Sequence, residues 1–153
     1  MTENKKLVYS GMVIACYVVG LSVMQPISFG AVQVRLVTGL YALAFHNPWM
    51  VIPLGLANSL GNSVGGLGLI DMLGGLVVGL LTAFLVSRMR GLPDYMVVMP
   101  IAIVPSVMVP LWLSPILGVP YTVLFLNIFV GQTISAYTIG LLIIKNTLFK
   151  VAK

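Results

Sequence analysis

The chain has 153 residues, 59% of them hydrophobic and only 7% charged, with a formal net charge of +5. A soluble domain of this length carries about a quarter charged residues, so this chain has no polar coat for water and lipid is its solvent. The eight basic residues are dispersed among apolar runs, with no basic patch interleaved with aromatics, which argues against nucleic acid as a partner.

Length allows one domain, 1–153. A helix needs about 20 apolar residues to cross a bilayer, fewer where neighbours bury its ends. The first candidate span is 7–24, preceded by Lys5 and Lys6. Basic residues before an apolar run resemble a signal peptide, but no small-x-small cleavage site follows, so the run reads as a span. Gly11 and Ala15 form a small-xxx-small pair on it, either for internal packing or for docking another membrane subunit. The single cysteine, Cys16, has no internal disulfide partner and reads as a small packing residue.

The second span, 32–45, is short and closes at Asn47-Pro48, with His46 at a solvated turn. The third, 49–64, carries Gly55, Asn58, Asn62 and, just beyond it, Gly66 on one helical face. Asn58 and Asn62 present amide donors and acceptors one turn apart. The fourth, 69–87, has Asp71, Gly75, Gly79 and Thr82 or Ala83 on one stripe, a packing surface. The fifth, 95–113, belongs to a region where Pro100, Pro105, Pro110, Pro115 and Pro120 recur every five residues, which is no single face and predicts either a kinked helix lining a cavity or a bent packing helix. In the sixth, 122–144, Asn127, Gly131, Ser135 and Thr138 share a face, and Gln132 points elsewhere. Turn residues separate the spans at 65–68, 90–93, 114–115 and 118–120.

Six spans put Lys5, Lys6, Arg88, Arg90, Lys145, Lys150 and Lys153 on one side and leave Arg35 alone on the other. Basic residues are retained on the cytoplasmic side. The expectation is therefore an all-α bundle of six transmembrane helices with N and C termini cytoplasmic. Five or seven spans would split the bases.

Ionisable groups at membrane depth are functional candidates by default. Here they are Arg35 and Asp71, both at predicted outer ends of spans. They either pair with each other or anchor at the outer headgroups, or they face an outward cavity and bind a polar solute. Asn62 and Asn127 also fall toward the outer leaflet, with Gln33 and Asn58 nearby, which favours a site. Each amide could instead serve as interhelical glue.

Catalytic signals are missing. No Gly-x-x-x-x-Gly-Lys-Ser/Thr phosphate loop occurs. Three acidic residues and one histidine leave no paired carboxylates, metal cluster or nucleophile triad, so neither a metal nor another cofactor is expected.

Two stretches carry a family likeness: QPISFGAVQVRL, with Phe29-Gly30, Gln33 and Arg35, and GNSVGGLGLIDMLGGLVVGLLTA, with Asn62, Gly65-Gly66 and Asp71. From Val8 to Lys145 the chain resembles the QueT family, importers of queuosine precursors. More broadly it resembles the substrate-binding (S) component of an energy-coupling factor (ECF) transporter. The resemblance implies a cell-membrane subunit that binds a small molecule, with Gln33, Arg35, Asn62 and Asp71 in its blocks; together with the face reading, the expected site is Gln33, Arg35, Asn58, Asn62, Asp71 and Asn127. The resemblance also implies docking through Gly11 and Ala15 onto a coupling transmembrane subunit served by two ATPase subunits. Val37-Thr38 and Gly131-Gln132 stand where the family pattern has acids, which points to a neutral deazapurine or another small polar nutrient. A self-sufficient small transporter or channel, and a non-transport scaffold subunit, are the alternatives.

The topology is testable by cysteine labelling in a Cys16-free background. External reagent should reach single cysteines placed at 65–68 and 115–119 but not at 89–92. Labelling of 89–92 from outside would overturn the arrangement.

Overall fold

The computed structural model describes residues 2–28 and 33–149. Phe29, Gly30 and the start of the predicted second span at Val32 lie outside the described residues, as do Lys150 and Lys153. Among the described residues there are helices and turns and no strand.

Helix α1, Glu3–Val23, is followed at once by the short α2, Gln25–Ser28. A 3₁₀-helix, Leu36–Ala42, runs directly into α3, Leu43–His46. A 3₁₀ turn at Pro48–Met50 leads into α4, Val51–Ser63. After the glycine-rich turn come α5, Leu69–Arg88, then α6, Asp94–Val97, and α7, Met99–Leu117. Helix α8, Tyr121–Ser135, continues through a π-helical stretch, Ala136–Gly140, into α9, Leu141–Lys145.

Four helical stretches are long and apolar enough to cross a membrane: Glu3–Val23, Leu69–Arg88, Asp94–Leu117 and Tyr121–Lys145. The helices of the second and third stretches are shorter. Leu36–His46 and Val51–Ser63 each rise about 20 Å, against an apolar layer of about 30 Å. They are joined at Asn47-Pro48, and Arg35 and Asn62 sit at their far ends.

The chain breaks largely where turn chemistry predicts. Helix α7 differs: it runs through Pro105, Pro110 and Pro115 to stop at Gly118, so 114–115 is helix rather than a connection. Each proline removes one backbone donor, but neighbours hold the helix in register. Ser114 Oγ donates to the Val119 carbonyl across the helix end, and Tyr121 Oη donates to that of Val107.

The tightest helix pair is α4 with α5. A Cβ at Gly79 would stand 2.9 Å from Gly55 Cα, and one at Gly75 would stand 2.5 Å from Asn62 Nδ2. The small-residue stripe thus brings two backbones together and leaves room for the asparagines of α4. Two apolar clusters flank this pair. One gathers Tyr17, Tyr41, Leu54, Val86 and Ile101 among others. The second is formed by Val78, Val104, Val109, Leu113, Leu124 and Ile128.

His46 is no solvated bystander. It is half-buried, and its Nε2 lies 3.0 and 3.1 Å from the carbonyl oxygens of Ile143 and Ile144, donating its N–H to the last turn of α9. Asn47 Nδ2 donates to the Phe149 carbonyl at 2.8 Å. The short α3 is thereby tied to the C-terminal end of the sixth stretch.

Glycine packing gives a paired expectation. Gly79→Val should lower the melting temperature in detergent, by overpacking worth about 1–3 kcal/mol. Gly11→Val should leave it nearly unchanged, because a Cβ at Gly11 meets nothing within 4 Å. Equal shifts for the two variants would contradict the packing.

Candidate functional site

Two asparagines one turn apart on α4 organise the interior. Asn62 Oδ1 accepts a hydrogen bond from Arg35 Nη1 at 2.8 Å, and its Nδ2 donates to the Asp71 backbone carbonyl at 2.9 Å. Asn58 repeats the motif one turn away: its Oδ1 accepts from Tyr17 Oη at 3.0 Å, and its Nδ2 donates to the Gly75 carbonyl at 2.7 Å. Each α5 carbonyl can take the amide as a second donor because an oxygen has two lone pairs.

Arg35 is 6% exposed. Besides Asn62 it donates, from Nε, to the Ser28 carbonyl at 3.2 Å. A buried guanidinium is tolerated only with such hydrogen-bonding partners. Asp71 stands in the first turn of α5, where the positive end of the helix dipole favours a carboxylate. Its Oδ1 accepts from Trp112 Nε1 at 3.0 Å, and its buried Oδ2 has no hydrogen-bond partner among the described residues. Asn62 links Arg35 to Asp71, accepting from the guanidinium and donating to the Asp71 backbone carbonyl.

Across the bundle, Thr38 Oγ1 lies 2.5 Å from Gln132 Oε1, 2.7 Å from the Arg35 carbonyl oxygen and 3.0 Å from Ser135 Oγ. Ser135 Oγ in turn donates to the Leu36 carbonyl at 2.9 Å. Gly131 lets α8 touch the backbone of Gln33 directly, and a Cβ there would collide with the Gln33 carbonyl. The first turn of the 3₁₀-helix is therefore pressed onto α8.

These two sets of bonds close around a small cavity. Its polar wall is Gln33, Arg35, Thr38, Asn58, Asn62 and Gln132, with Tyr41 beside them. Val78, Pro105, Val109 and Ile128 supply the apolar wall. The volume is about 10 Å³, room for a single water molecule. In this conformation the site is shut.

Of the residues singled out in the sequence, Gln33, Arg35, Asn58 and Asn62 line this cavity. Asp71 lies one bond farther out, behind Asn62. Asn127 is half-buried, its side chain makes no hydrogen bond among the described residues, and it is not part of the lining. Gly11 and Ala15 are exposed on α1.

Gln132 points into the cavity and Asn127 does not: the two diverge, as their five-residue spacing predicts, and Gln132 supplies the lining. The buried face of α8 runs through Leu124, Ile128, Gly131, Gln132 and Ser135, and Asn127 and Thr138 flank it. Gln132 continues the Leu124-Ile128 spacing of four, and Gly131 and Ser135 of the predicted face are buried beside it. Thr38, Tyr41 and Trp112 had no helical-face signal, because 3₁₀ geometry and cross-bundle packing place them.

Asn62→Leu should therefore destabilise the protein. It strips one acceptor from a buried guanidinium and one donor from α5, a loss of about 1–3 kcal/mol per unsatisfied group. Thermal unfolding should show a larger drop for Asn62→Leu than for Asn127→Leu; the reverse order would contradict the assigned geometry.

No curated protein and no solved structure matches the chain. The family model of the QueT transporter matches residues 7–148, nearly the whole length. That agrees with a buried polar site inside a bundle of apolar helices, and with the resemblance carried by the blocks around Arg35 and Asp71. The chain belongs to the QueT transporter family.

Proposed function

We propose that this membrane transporter is the substrate-binding subunit of an energy-coupling factor importer. It has six spans with both termini cytoplasmic and lies in the cell membrane. Its cargo is a queuosine precursor or a related deazapurine or small polar nutrient. A coupling transmembrane subunit and two ATPase subunits supply the work, since the sequence has no phosphate loop of its own.

The observation that carries this reading is the Arg35–Asn62 pair lining an enclosed polar cavity. A planar guanidinium and a ring of neutral amides and hydroxyls fit a heterocycle with carbonyl and N–H edges. With Thr38 and Gln132 in place of acids, the protein supplies no carboxylate for a cationic amine at those two positions, and a neutral ligand fits best. A heterocycle does not fit in about 10 Å³. Binding therefore requires the first turn of the 3₁₀-helix to part from α8 at the Thr38–Gln132 contact. Ligand capture and closure are one event in this account. The open face of α1 around Gly11 and Ala15 supports close approach of a partner helix.

A thermal-shift screen of deazapurines in detergent tests the reading, since a ligand specific to the folded state raises the melting temperature by mass action. Arg35→Ala should weaken binding by roughly ten- to a hundredfold, the equivalent of a buried hydrogen bond to a charged group. Unchanged affinity with a lowered melting temperature would make Arg35 a structural residue and sink the binding role. Uptake into liposomes by the isolated chain, without ATP, would instead favour a self-sufficient transporter.

A further inference from the structure

Opposite the shut cavity, at the start of α4 and the end of α5, the hairpin holds a second and open groove of about 560 Å³. The α4 side contributes Pro48, Trp49, Val51 and Ile52. The α5 side contributes Phe84, Ser87, Arg88 and, just beyond the helix, Arg90. No acidic residue lines it.

Three observations specify what this groove suits. First, its charge is of one sign and uncompensated. Arg88 lies over the Phe84 ring, 4.9 Å from its centroid, and neither Arg88 nor Arg90 has a carboxylate partner among the described residues. Second, the groove opens onto apolar surface. Ile52 and Phe84 are exposed, and each begins an exposed row: Ile52, Leu56 and Leu60 along α4, and Phe84, Leu81 and Val77 along α5. Third, Trp49 lines the same groove, the residue type enriched where headgroups meet acyl chains. Polar, cationic chemistry at one end and a continuous apolar track from the other describe an amphiphile with an anionic head.

We propose that this groove binds an anionic glycerophospholipid. The phosphodiester sits between Arg88 and Arg90, whose planar forks match phosphate oxygens. One acyl chain follows Ile52 and Phe84 out over Leu56 and Leu81. Basic pockets between transmembrane helices recognise lipid headgroups by this chemistry. A free phosphate would use only the arginines and leave the apolar walls without a role. The inference needs only the chain's place in a membrane, and it stands apart from the cargo proposed for the other site.

The test is native mass spectrometry of the detergent-purified chain, offered phosphatidylglycerol or phosphatidylcholine with identical acyl chains. One phosphatidylglycerol should be retained per protein and phosphatidylcholine should not. Arg88→Gln combined with Arg90→Gln should cut retention at least tenfold, and Phe84→Ala should cut it severalfold. Lys5→Gln with Lys6→Gln, which removes an equal charge elsewhere, should have no effect. If the double arginine variant does not fold, Arg90→Gln alone, at an exposed position, gives the same readout with a smaller loss. Equal retention of both lipids, or retention unchanged in the arginine variants, overturns the proposal. So does a thermal shift from inorganic phosphate or glycerol phosphate as large as that from the lipid, because the apolar track would then be irrelevant.

Discussion

The interior depends on two asparagine amides that each join three parts of the bundle. In lipid, helices gain nothing from hiding apolar surface against one another, so close contact and hydrogen bonds must set their arrangement. Asn58 and Asn62 donate to α5 carbonyls four residues apart, those of Gly75 and Asp71. Their oxygens accept from Tyr17 on α1 and from Arg35 at the start of the 3₁₀-helix. The glycines at 75 and 79 are a condition of this arrangement, since side chains there would occupy the space of Asn62 and of the α4 backbone. One rung of the ladder fixes α1, and the other fixes the only charge that the 3₁₀-helix brings inside.

The short second and third stretches give that charge somewhere to be. Full-length helices on all sides would force Arg35 against hydrocarbon, where a charge is expensive. Two stretches of about 20 Å, joined at Asn47-Pro48, bring Arg35 and Asn62 together at their far ends. The 3₁₀ form of Leu36–Ala42 is unusually long for its kind, and π-helical winding faces it at Ala136–Gly140. A Cβ at Gly39 would stand 2.7 Å from that of Ile139, so the two irregular windings are packed against each other. Both irregularities lie beside Thr38, Gln132 and Ser135, the contacts that hold the cavity shut.

The two halves of the site have different physical characters. The Asn62 side is anchored to α5 through backbone carbonyls, and Asp71 is fixed there by Trp112 and by the α5 dipole. The Thr38 side is a cluster of hydroxyls and one side-chain amide, which exchange partners at low cost. In the function proposed above, opening falls at the Thr38–Gln132 contact, with α8 parting from the Arg35–Asn62 side.

Much of this was legible in the sequence, for reasons of composition and spacing. Charge scarcity made the chain a membrane bundle and marked Arg35 and Asp71 as exceptional. Helical periodicity placed Asn58 and Asn62 on one face with Gly55, and the stripe from Asp71 to Thr82 on one face of α5. Those positions depend only on regular α geometry, and the structure keeps them. Gly66, expected on the α4 face, instead lies in the turn beyond it. Other features depend on how helices meet. The 3₁₀ winding that carries Thr38 and Tyr41 inward, the passage of α7 through three prolines, and the capping of α9 by His46 have no local signature. The rotation of α8 that turns Gln132 inward and leaves Asn127 on the flank was also decided by packing: Gly131 lies against the Gln33 backbone, and that contact fixes which residues face the cavity. The sequence by itself determined which residues are costly to bury. Only the tertiary structure decided which of them meet, because in lipid the close approach of backbones, more than the apolar pattern, orients one helix against the next.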